Sequence, residues 1–392
     1  MILSRGIKSS LQRELDSYYK EIMGGDFNIR HVTKGAFSQA RAKLNPDAFV
    51  EMNDNVNQTF YNEAPYLLWH GMRLLASDGT RLMLPNHDSI LEEFGQDGFG
   101  PNADSMRSLA IGSFLYDVLN LITIDAQIAP YSSSEKDLLY KHLEKVKQGD
   151  LLLLDRFYPS KSLFFLLKAK GIEFCVRMKE DWWLPVKEFT ESGRKEQIVR
   201  FSLPKKDHQS LQDFPEWIDK EIEFRLVRIE LENGDIEILC TSLTDTKQYQ
   251  HNEFKELYHL RWSIEEAYKL FKSRAELENF SGKTAIAVKQ DFHAKVFMMS
   301  LAAVLAFPIE EKVKEETREE NQRKHLQKLN RTQALSMTGN ISIGLFIKKK
   351  FHHAIKAFDH IVRKTVEIIR PGRKNPRKKH PKRPYHMNYK RL

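Results

Sequence analysis

Residues 258–272 read Y-H-L-R-W-S-I-E-E-A-Y-K-L-F-K, a sequence that predicts one continuous helix. The segment has no Gly or Pro and is rich in Leu, Glu, Lys and Arg, which favour helices. At about 100° per residue, Arg261, Glu265 and Lys272 lie within roughly 60° of Tyr258 on one stripe of the helix. Most other positions are apolar, so we expect the helix to be buried with its charged stripe facing a site.

The charged stripe also has a simpler interpretation. Arg261 and Glu265 are four residues apart, the spacing of an ordinary salt bridge on a helix surface. Taken singly, each charged residue is best explained in that way. The combined spacing Tyr-x2-Arg-x3-Glu-x6-Lys is more specific, and it resembles the signature of one branch of the DDE transposases of bacterial insertion sequences.

This resemblance implies a role for each residue of the signature. It identifies Glu265 as the last of three metal-binding, catalytic carboxylates. It identifies Tyr258, Arg261 and Lys272 as residues that bind DNA phosphates near the cut. The family also requires two aspartates upstream, each at the end of a strand.

The first aspartate that meets this requirement is Asp78. It follows an apolar run at 71–77 and opens the sequence Asp-Gly-Thr, which we predict to be the turn of a hairpin that returns over 81–85. Considered alone, Asp78 is most simply a turn residue. Its place in the order of the chain favours a catalytic role.

The second aspartate is Asp155. Four consecutive leucines precede it at 151–154 and predict a strand buried on both faces. Alone, Asp155 fits a helix N-cap or a loop residue equally well. Arg156 follows directly and is a further candidate for DNA binding. In a ribonuclease-H-like sheet the strands ending at Asp78 and Asp155 lie side by side, so their carboxylates would meet, with the Glu265 helix packed across them.

The remaining pattern predicts an α/β fold, a ribonuclease-H-like mixed sheet flanked by helices. Strands are expected at 108–119, 121–129 and 172–178, and helices at 132–147 and 160–170. A β-rich insertion at about 180–245 precedes the last catalytic helix. Its predicted strands are 197–203, 222–232 and 236–242, the last two joined by a turn at 233–235.

Four regions are expected along the chain. They are a helical DNA-binding domain at 1–65, a catalytic domain at 66–284, a helical C-terminal region at 285–370 and a basic, disordered tail at 371–392. Within the first region, Thr33 is a candidate N-cap for a short basic helix. That helix fits a DNA-recognition element and an ordinary surface helix equally well.

Composition sets limits on partners and location. The net charge of +9 suggests a polyanionic partner, for which RNA, DNA and an anionic membrane surface all qualify. Cys175 and Cys240 form no zinc or disulfide pattern, which favours a reducing cytoplasm. The family resemblance implies a bacterial, nucleoid-associated location. The most apolar segment, 296–308, is predicted to be a buried core helix too short to span a bilayer.

Together these features predict the chemistry. Three clustered carboxylates repel one another unless a cation compensates, and oxygen ligands favour two Mg²⁺ ions, for which Mn²⁺ can substitute. The resemblance implies a transposase, working as a homodimer on double-stranded DNA, that cleaves at element ends and joins the 3′ ends to target DNA. Two alternatives stay open. One is a ribonuclease-H-like nuclease or resolvase, and the other a catalytically silent DNA-binding repressor.

Overall fold

The structure is a computed structural model that describes residues 2–3, 10–99, 105–231, 234–319 and 327–369. The basic tail predicted at 371–392 lies outside the described residues, and so does part of the turn predicted at 233–235.

The helices of the described chain alternate with strands through its middle part. The helices are α1 (Leu11–Met23), α2 (Lys34–Ala42), α3 (Asp47–Glu63), α4 (Asp88–Phe94), α5 (Glu135–His142), α6 (Lys161–Ala169), α7 (Leu184–Ser192), α8 (Glu253–His259), α9 (Ser263–Ser273), α10 (Ala285–Glu319), α11 (Arg331–Phe346) and α12 (Phe351–Val362). The strands are β1 (Leu74–Met83), β2 (Gln96–Phe99), β3 (Ser105–Asp117), β4 (Ile122–Pro130), β5 (Leu151–Leu154), β6 (Glu173–Met178), β7 (Glu196–Ser202), β8 (Glu221–Glu230), β9 (Ile236–Thr241), β10 (Gln327–Leu329) and β11 (Val366–Ile368).

Strands β1 to β9 form one mixed sheet in the order β2-β3-β1-β5-β6-β9-β8-β7, with β4 paired to the outer side of β3. β1 runs parallel to β5 and β5 parallel to β6, whereas β1 and β3 are antiparallel. Helices flank this sheet, so the predicted fold class is confirmed.

The leucine strand β5 lies at the centre of the sheet. All four of its leucines are fully buried. Leu152 and Leu154 pack into the hydrophobic cluster on the α6 side, and Leu151 and Leu153 into the cluster on the α9 side. The prediction of a strand buried on both faces is therefore confirmed.

The hairpin predicted at Asp78 is wrong. β1 continues without a turn through Asp78, Gly79 and Thr80, and it pairs with β3 over nearly its whole length. Gly79 serves close approach instead of a turn: a Cβ placed there would lie 2.5 Å from Cδ of Glu135 in α5. Asp-Gly marks a turn only where local preference decides the structure, and here the pairing of β1 with β3 decides it.

The residues predicted as an insertion extend the sheet. β9 pairs with β6, and β8 and β7 follow it in antiparallel order. The three strands are close to the predicted positions. Their place in the main sheet could not be read from local alternation.

The predicted helix at 258–272 is interrupted. α8 ends at His259, a 3-10 turn spans Leu260–Trp262, and α9 begins at Ser263. The tighter turn changes the angular phase of the side chains that follow it. The stripe therefore begins on one helical segment and ends on the next.

The long helix α10 packs against α3 and β4. The segment 296–308 is part of α10, so the prediction of a core helix is confirmed. The prediction that this helix is too short to cross a membrane is wrong, because α10 extends well beyond the segment at both ends. By length and composition, Ala285–Glu316 could span one, and 67% of its most apolar window is buried within the protein. Such burial is that of a core helix packed against other elements.

One buried arginine attaches the N-terminal helices to α10. The Arg41 guanidinium, 8% exposed, lies 2.8 Å from the Asp291 carboxylate and donates to Gln290 Oε1 at 2.7 Å and to the Ala287 carbonyl at 2.9 Å. Thr33 caps α2, the helix that carries Arg41, by accepting the Ala36 N–H at 3.2 Å, as predicted. The end of the predicted DNA-recognition helix is thus bound to the protein itself.

We predict that Arg41→Ala lowers the free energy of unfolding by about 3 kcal/mol, because it removes one partner of a buried ion pair. Arg30→Ala is the matched control, since Arg30 is 62% exposed and 3.5 Å from Asp16. Its loss is expected to cost less than about 1 kcal/mol. Denaturant unfolding of both variants measures the difference. Equal losses would show that the Arg41–Asp291 ion pair does not stabilise the packing of α2 on α10.

Candidate active site

Asp78 and Asp155 are brought together by the pairing of β1 with β5. The register is Leu74↔Leu151, Leu75↔Leu152 and Ala76↔Leu153. Continued two residues further, it places Asp78 opposite Asp155, the residue that directly follows β5. The charges of the two carboxylates act on one another at this position.

The backbone at Asp78 is held from two sides. The Tyr268 hydroxyl of α9 donates a short hydrogen bond to the Asp78 carbonyl, and Ser113 Oγ of β3 lies 3.4 Å from the same oxygen. Ser113 in turn contacts His142 Nε2 at 3.0 Å, and His142 Nδ1 lies 2.7 Å from Asp125 Oδ2. This buried network fixes the strand that carries the carboxylate.

The Asp78 carboxyl group is half-buried and lies near other negative charges. Its pKa is raised to about 7, first by burial and then by the negative charges of Asp155 and Glu135. The hydrogen bond from the Gly79 N–H and the positive charge of Arg261 act in the opposite direction. The protein by itself therefore leaves the negative charge of this group only partly compensated.

Asp155 and the signature tyrosine meet at the end of β5. The Asp155 carboxylate accepts the Phe157 N–H at 2.7 Å. Tyr258 is 3% exposed and donates its hydroxyl to the Leu154 carbonyl at 3.2 Å. Tyr258 thus fixes the strand end that positions Asp155, whereas Arg156 is exposed and lines a shallow cleft shared with Arg177 and Lys179.

The rest of the signature lies in the 3-10 turn at Leu260–Trp262 and along α9. Arg261 is 7% exposed and binds Glu265 Oε1 at 3.1 Å, and its guanidinium carbon lies 5.0 Å from the ring centre of Trp262. Lys272 donates to the Arg81 carbonyl at 2.5 Å, further along β1. The helix that carries Glu265 therefore crosses β1 near Asp78, and the simple salt-bridge interpretation of Arg261 and Glu265 correctly describes their contact.

In the described part of the chain, the carboxylates do not form a complete metal site. Among the described residues, no group of three His, Cys, Asp or Glu side chains is already placed to enclose a metal ion. The donor set nevertheless fits a hard divalent cation. It consists of carboxylate oxygens, the ligands that such cations prefer. The convergence of Asp78, Asp155 and Glu265 on such an ion stays a prediction.

Sequence reasoning missed three residues at this site. Glu135, at the start of α5, lies against Gly79; Tyr158 is fully buried and directs its hydroxyl to Glu135 Oε2 at 3.5 Å. Tyr268 supports Asp78. Glu135 follows the N-cap Ser134, and in the sequence it looks like an acid that only complements the helix dipole.

Two aspartates at adjacent strands and a glutamate on the crossing helix offer the kind of oxygen ligands that two-metal phosphoryl transfer uses. Residues 69–301 match the family described as Transposase DDE domain. Because the match spans more than half of the sequence, the chain belongs to that family.

Individual relatives agree with this assignment. The chain is similar to the transposase InsG for insertion sequence element IS4 of Escherichia coli K12, with 24% identity over 62% of this chain and 54% of that protein. It is also similar to the putative transposase InsZ of the same organism, with 31% identity over 30% of this chain and 37% of that protein. The chain thus spans about half the length of the first relative.

A solved structure was also found, that of a piggyBac transposase synaptic complex with hairpin DNA. It shares 8% identity and a TM-score of 0.41, and the alignment covers 79% of this chain and 60% of that one.

The electrostatics of Asp78 yield a stability prediction. When the pKa of a carboxyl group is higher in the folded protein than in the unfolded chain, the folded protein loses stability as the pH rises from the unfolded pKa to the folded pKa. In metal-free buffer with EDTA, Asp78→Asn removes this loss. Its stability relative to wild type should rise by roughly 2 kcal/mol between about pH 5 and about pH 8. Denaturant unfolding at both pH values measures the change, and a difference independent of pH would show that the Asp78 pKa is not raised.

Proposed function

We propose that this protein is a DNA transposase that cleaves at insertion-sequence ends and joins the 3′ ends to target DNA. One observation carries the proposal. In a chain of the DDE family, the parallel pairing of β1 and β5 sets Asp78 beside Asp155, under the helix of Glu265.

In this proposal Asp78, Asp155 and Glu265 hold two Mg²⁺ ions, or Mn²⁺ in their place. When bound, such ions activate the attacking water or 3′-hydroxyl and stabilise the leaving oxygen of an in-line displacement. The protein contributes the rigid placement of the ligands. Tyr268 and Ser113 fix the backbone at Asp78, and Tyr258 fixes the end of β5.

The DNA contacts are assigned to basic residues around these carboxylates. Arg261, in the 3-10 turn before α9, interacts with the charge of Asp78, Lys272 of α9 contacts β1, and Arg156 is exposed directly after Asp155. A guanidinium can grip a phosphate in a bidentate fork, whereas Lys acts as a point charge. For Tyr258, the burial of its hydroxyl against Leu154 supports an indirect part, through the position of Asp155.

Further parts of the proposal extend beyond the catalytic domain. The helices at 1–65 bind element ends, the basic chain works as a homodimer on double-stranded DNA, and the protein acts in the bacterial cytoplasm at the nucleoid. The net charge of +9 supports a nucleic-acid partner. A nuclease would cut without joining, and a repressor would bind without cutting, so one strand-transfer assay separates the three functions.

We predict that Asp155→Asn lowers cleavage and strand transfer by roughly 10²-fold or more, on the scale of losing one preorganised charged group at a reacting centre. Specific binding to element ends should persist, because the N-terminal helices are unchanged. Both activities are measured in Mg²⁺ on a DNA fragment carrying the ends that flank the gene.

Asp181→Asn is the matched control for this experiment. Asp181 is an exposed aspartate in the cleft beside Arg156, and its loss should leave both activities within about twofold, as for a surface substitution. Nicking by Asp155→Asn at the wild-type rate would overturn the assigned mechanism.

A second prediction separates the two interpretations of Arg261. Arg261→Ala should slow strand transfer in protein that is still folded, because the guanidinium positions DNA as well as binding Glu265. The control is Lys269→Ala, which breaks an exposed bridge to Glu266 on the same helix and should change neither stability nor activity. Melting temperature and strand transfer are measured on the same preparations. A destabilised but fully active Arg261→Ala variant would remove Arg261 from the site.

A further inference from the structure

Two lysines converge on one tryptophan near the edge of the sheet where β5 and β6 end. The Lys179 ammonium group lies 5.0 Å from the ring centre of Trp182, and the Lys136 ammonium group lies 5.9 Å from it. Lys179 directly follows β6, and Lys136 belongs to the first turn of α5. One aromatic ring thus brings together cations from two separate elements, and we call these three residues the Trp182 cluster.

The positive charge of the Trp182 cluster is not offset by the protein. Among the described residues, no carboxylate lies within ion-pairing distance of either ammonium group. Lys168, on the neighbouring α6, by contrast has the Glu173 carboxylate at 3.3 Å. Burial and the positive charge of Lys179 lower the pKa of Lys136, because both disfavour the charged ammonium form. An anion beside the two lysines would remove this cost.

The position of Trp182 is fixed by the residue that follows it. Trp183 has a φ of 61°, a left-handed conformation that is unusual for a bulky residue. Its ring packs on Phe164 and Phe201, with ring centres 5.6 and 5.2 Å apart. The half-buried ring of Trp182 lies nearly parallel to that of Trp183, at an angle of 11°. Strain of this kind persists where the surrounding structure imposes it, and it is concentrated at ligand-binding sites.

The Trp182 cluster lies beside the proposed active site. Because β5 and β6 are parallel neighbours, Asp155 and Lys179 follow strand ends at the same edge of the sheet. Arg156, directly after Asp155, lines one cleft together with Lys179. The helix that carries Lys136 packs on the α6 side of the sheet, whereas strand alternation directs Asp155 to the α9 side. A ligand that reaches both must therefore cross this edge, as a long polymer can.

We infer that the Trp182 cluster binds a backbone phosphate of the DNA strand that passes from the proposed catalytic carboxylates over this edge of the sheet. The inference rests on the proposed function and deepens it, because it assigns a place to the DNA beyond the bond that is cut. Lysine ammonium groups bind phosphate as point charges and need no particular base sequence. Trp182 holds the two ammonium groups together where the phosphate lies.

The test is binding of the full chain to a labelled double-stranded DNA fragment carrying the ends that flank the gene. Fluorescence anisotropy is measured in EDTA over a series of salt concentrations. The double variant Lys136→Gln/Lys179→Gln should reduce the slope of log affinity against log salt concentration by about 1, the contribution of one phosphate contact. The matched control is Lys205→Gln/Lys206→Gln, which removes the same charge from the exposed start of the 3-10 segment Lys205–Leu211 and should leave the slope unchanged.

Trp182→Ala separates a defined phosphate site from general attraction to a basic protein. This variant removes no charge, so general attraction predicts unchanged binding. Loss of the ring frees the two ammonium groups and should weaken DNA binding by roughly fivefold at fixed salt, on the scale of two exposed cation–π contacts. Trp182→Phe keeps an aromatic face under the lysines and should bind as wild type does. Circular dichroism confirms that each variant is folded.

The outcomes distinguish the inference from the proposed function. If wild-type protein joins element ends to target DNA in Mg²⁺ but the lysine double variant binds DNA as its control does, the inference is overturned and the proposed function stands. Wild-type affinity of folded Trp182→Ala would overturn the inference in the same way. If the wild-type chain neither binds the fragment nor joins its ends, both fail. Weaker binding by the lysine double variant and Trp182→Ala, with the control and Trp182→Phe unchanged, supports the inference.

Discussion

The parallel pairing of β1 with β5 is the constraint on which the rest of this structure depends. It begins with a buried ion pair, in which Arg73 Nε donates to Asp150 Oδ1 at 2.7 Å, and with the Leu151 N–H bonded to the Arg73 carbonyl at 2.9 Å. From that point both strands run in register to two carboxylates. Their proximity costs free energy in the protein alone, since burial and like charge both disfavour ionised acids. The two carboxylates therefore lower the stability of the fold at the proposed site.

The elements around this pairing resist the repulsion that it creates. Hydrogen bonds from α9 and β3 fix the backbone at Asp78, and Tyr258 fixes the last carbonyl of β5. None of these contacts neutralises a carboxylate, because each one uses a backbone oxygen as its acceptor. These contacts fix the strand ends, while the carboxylates accept hydrogen bonds of their own, Asp78 from the Gly79 N–H and Asp155 from the Phe157 N–H.

The sequence predicts those parts of the site that depend on local pattern. Four leucines between polar residues specify a strand buried on both faces, and the composition around Glu265 specifies a helical segment. The hairpin at Asp78 fails because β1 pairs with β3 through Asp78 and Gly79, and a partner strand that distant in the sequence leaves no local signal. The prediction of one continuous helix fails at Leu260–Trp262, where the structure has a 3-10 turn. Helix propensity there is high throughout, and a short 3-10 turn carries no distinct composition.

Arg261 shows why a salt bridge and the proposed contact with DNA are compatible in this fold. On an exposed helix the pair with Glu265 would contribute a few tenths of a kcal/mol, and the Arg would be replaceable. Here the guanidinium is buried, lies over the rings of Tyr258 and Trp262, and acts on Asp78 as well as on Glu265. Its Nε is buried and makes no hydrogen bond among the described residues. Burying a charged group with a donor unmet is costly. Surface stability alone does not explain that cost, whereas a phosphate oxygen supplied by DNA would meet the donor.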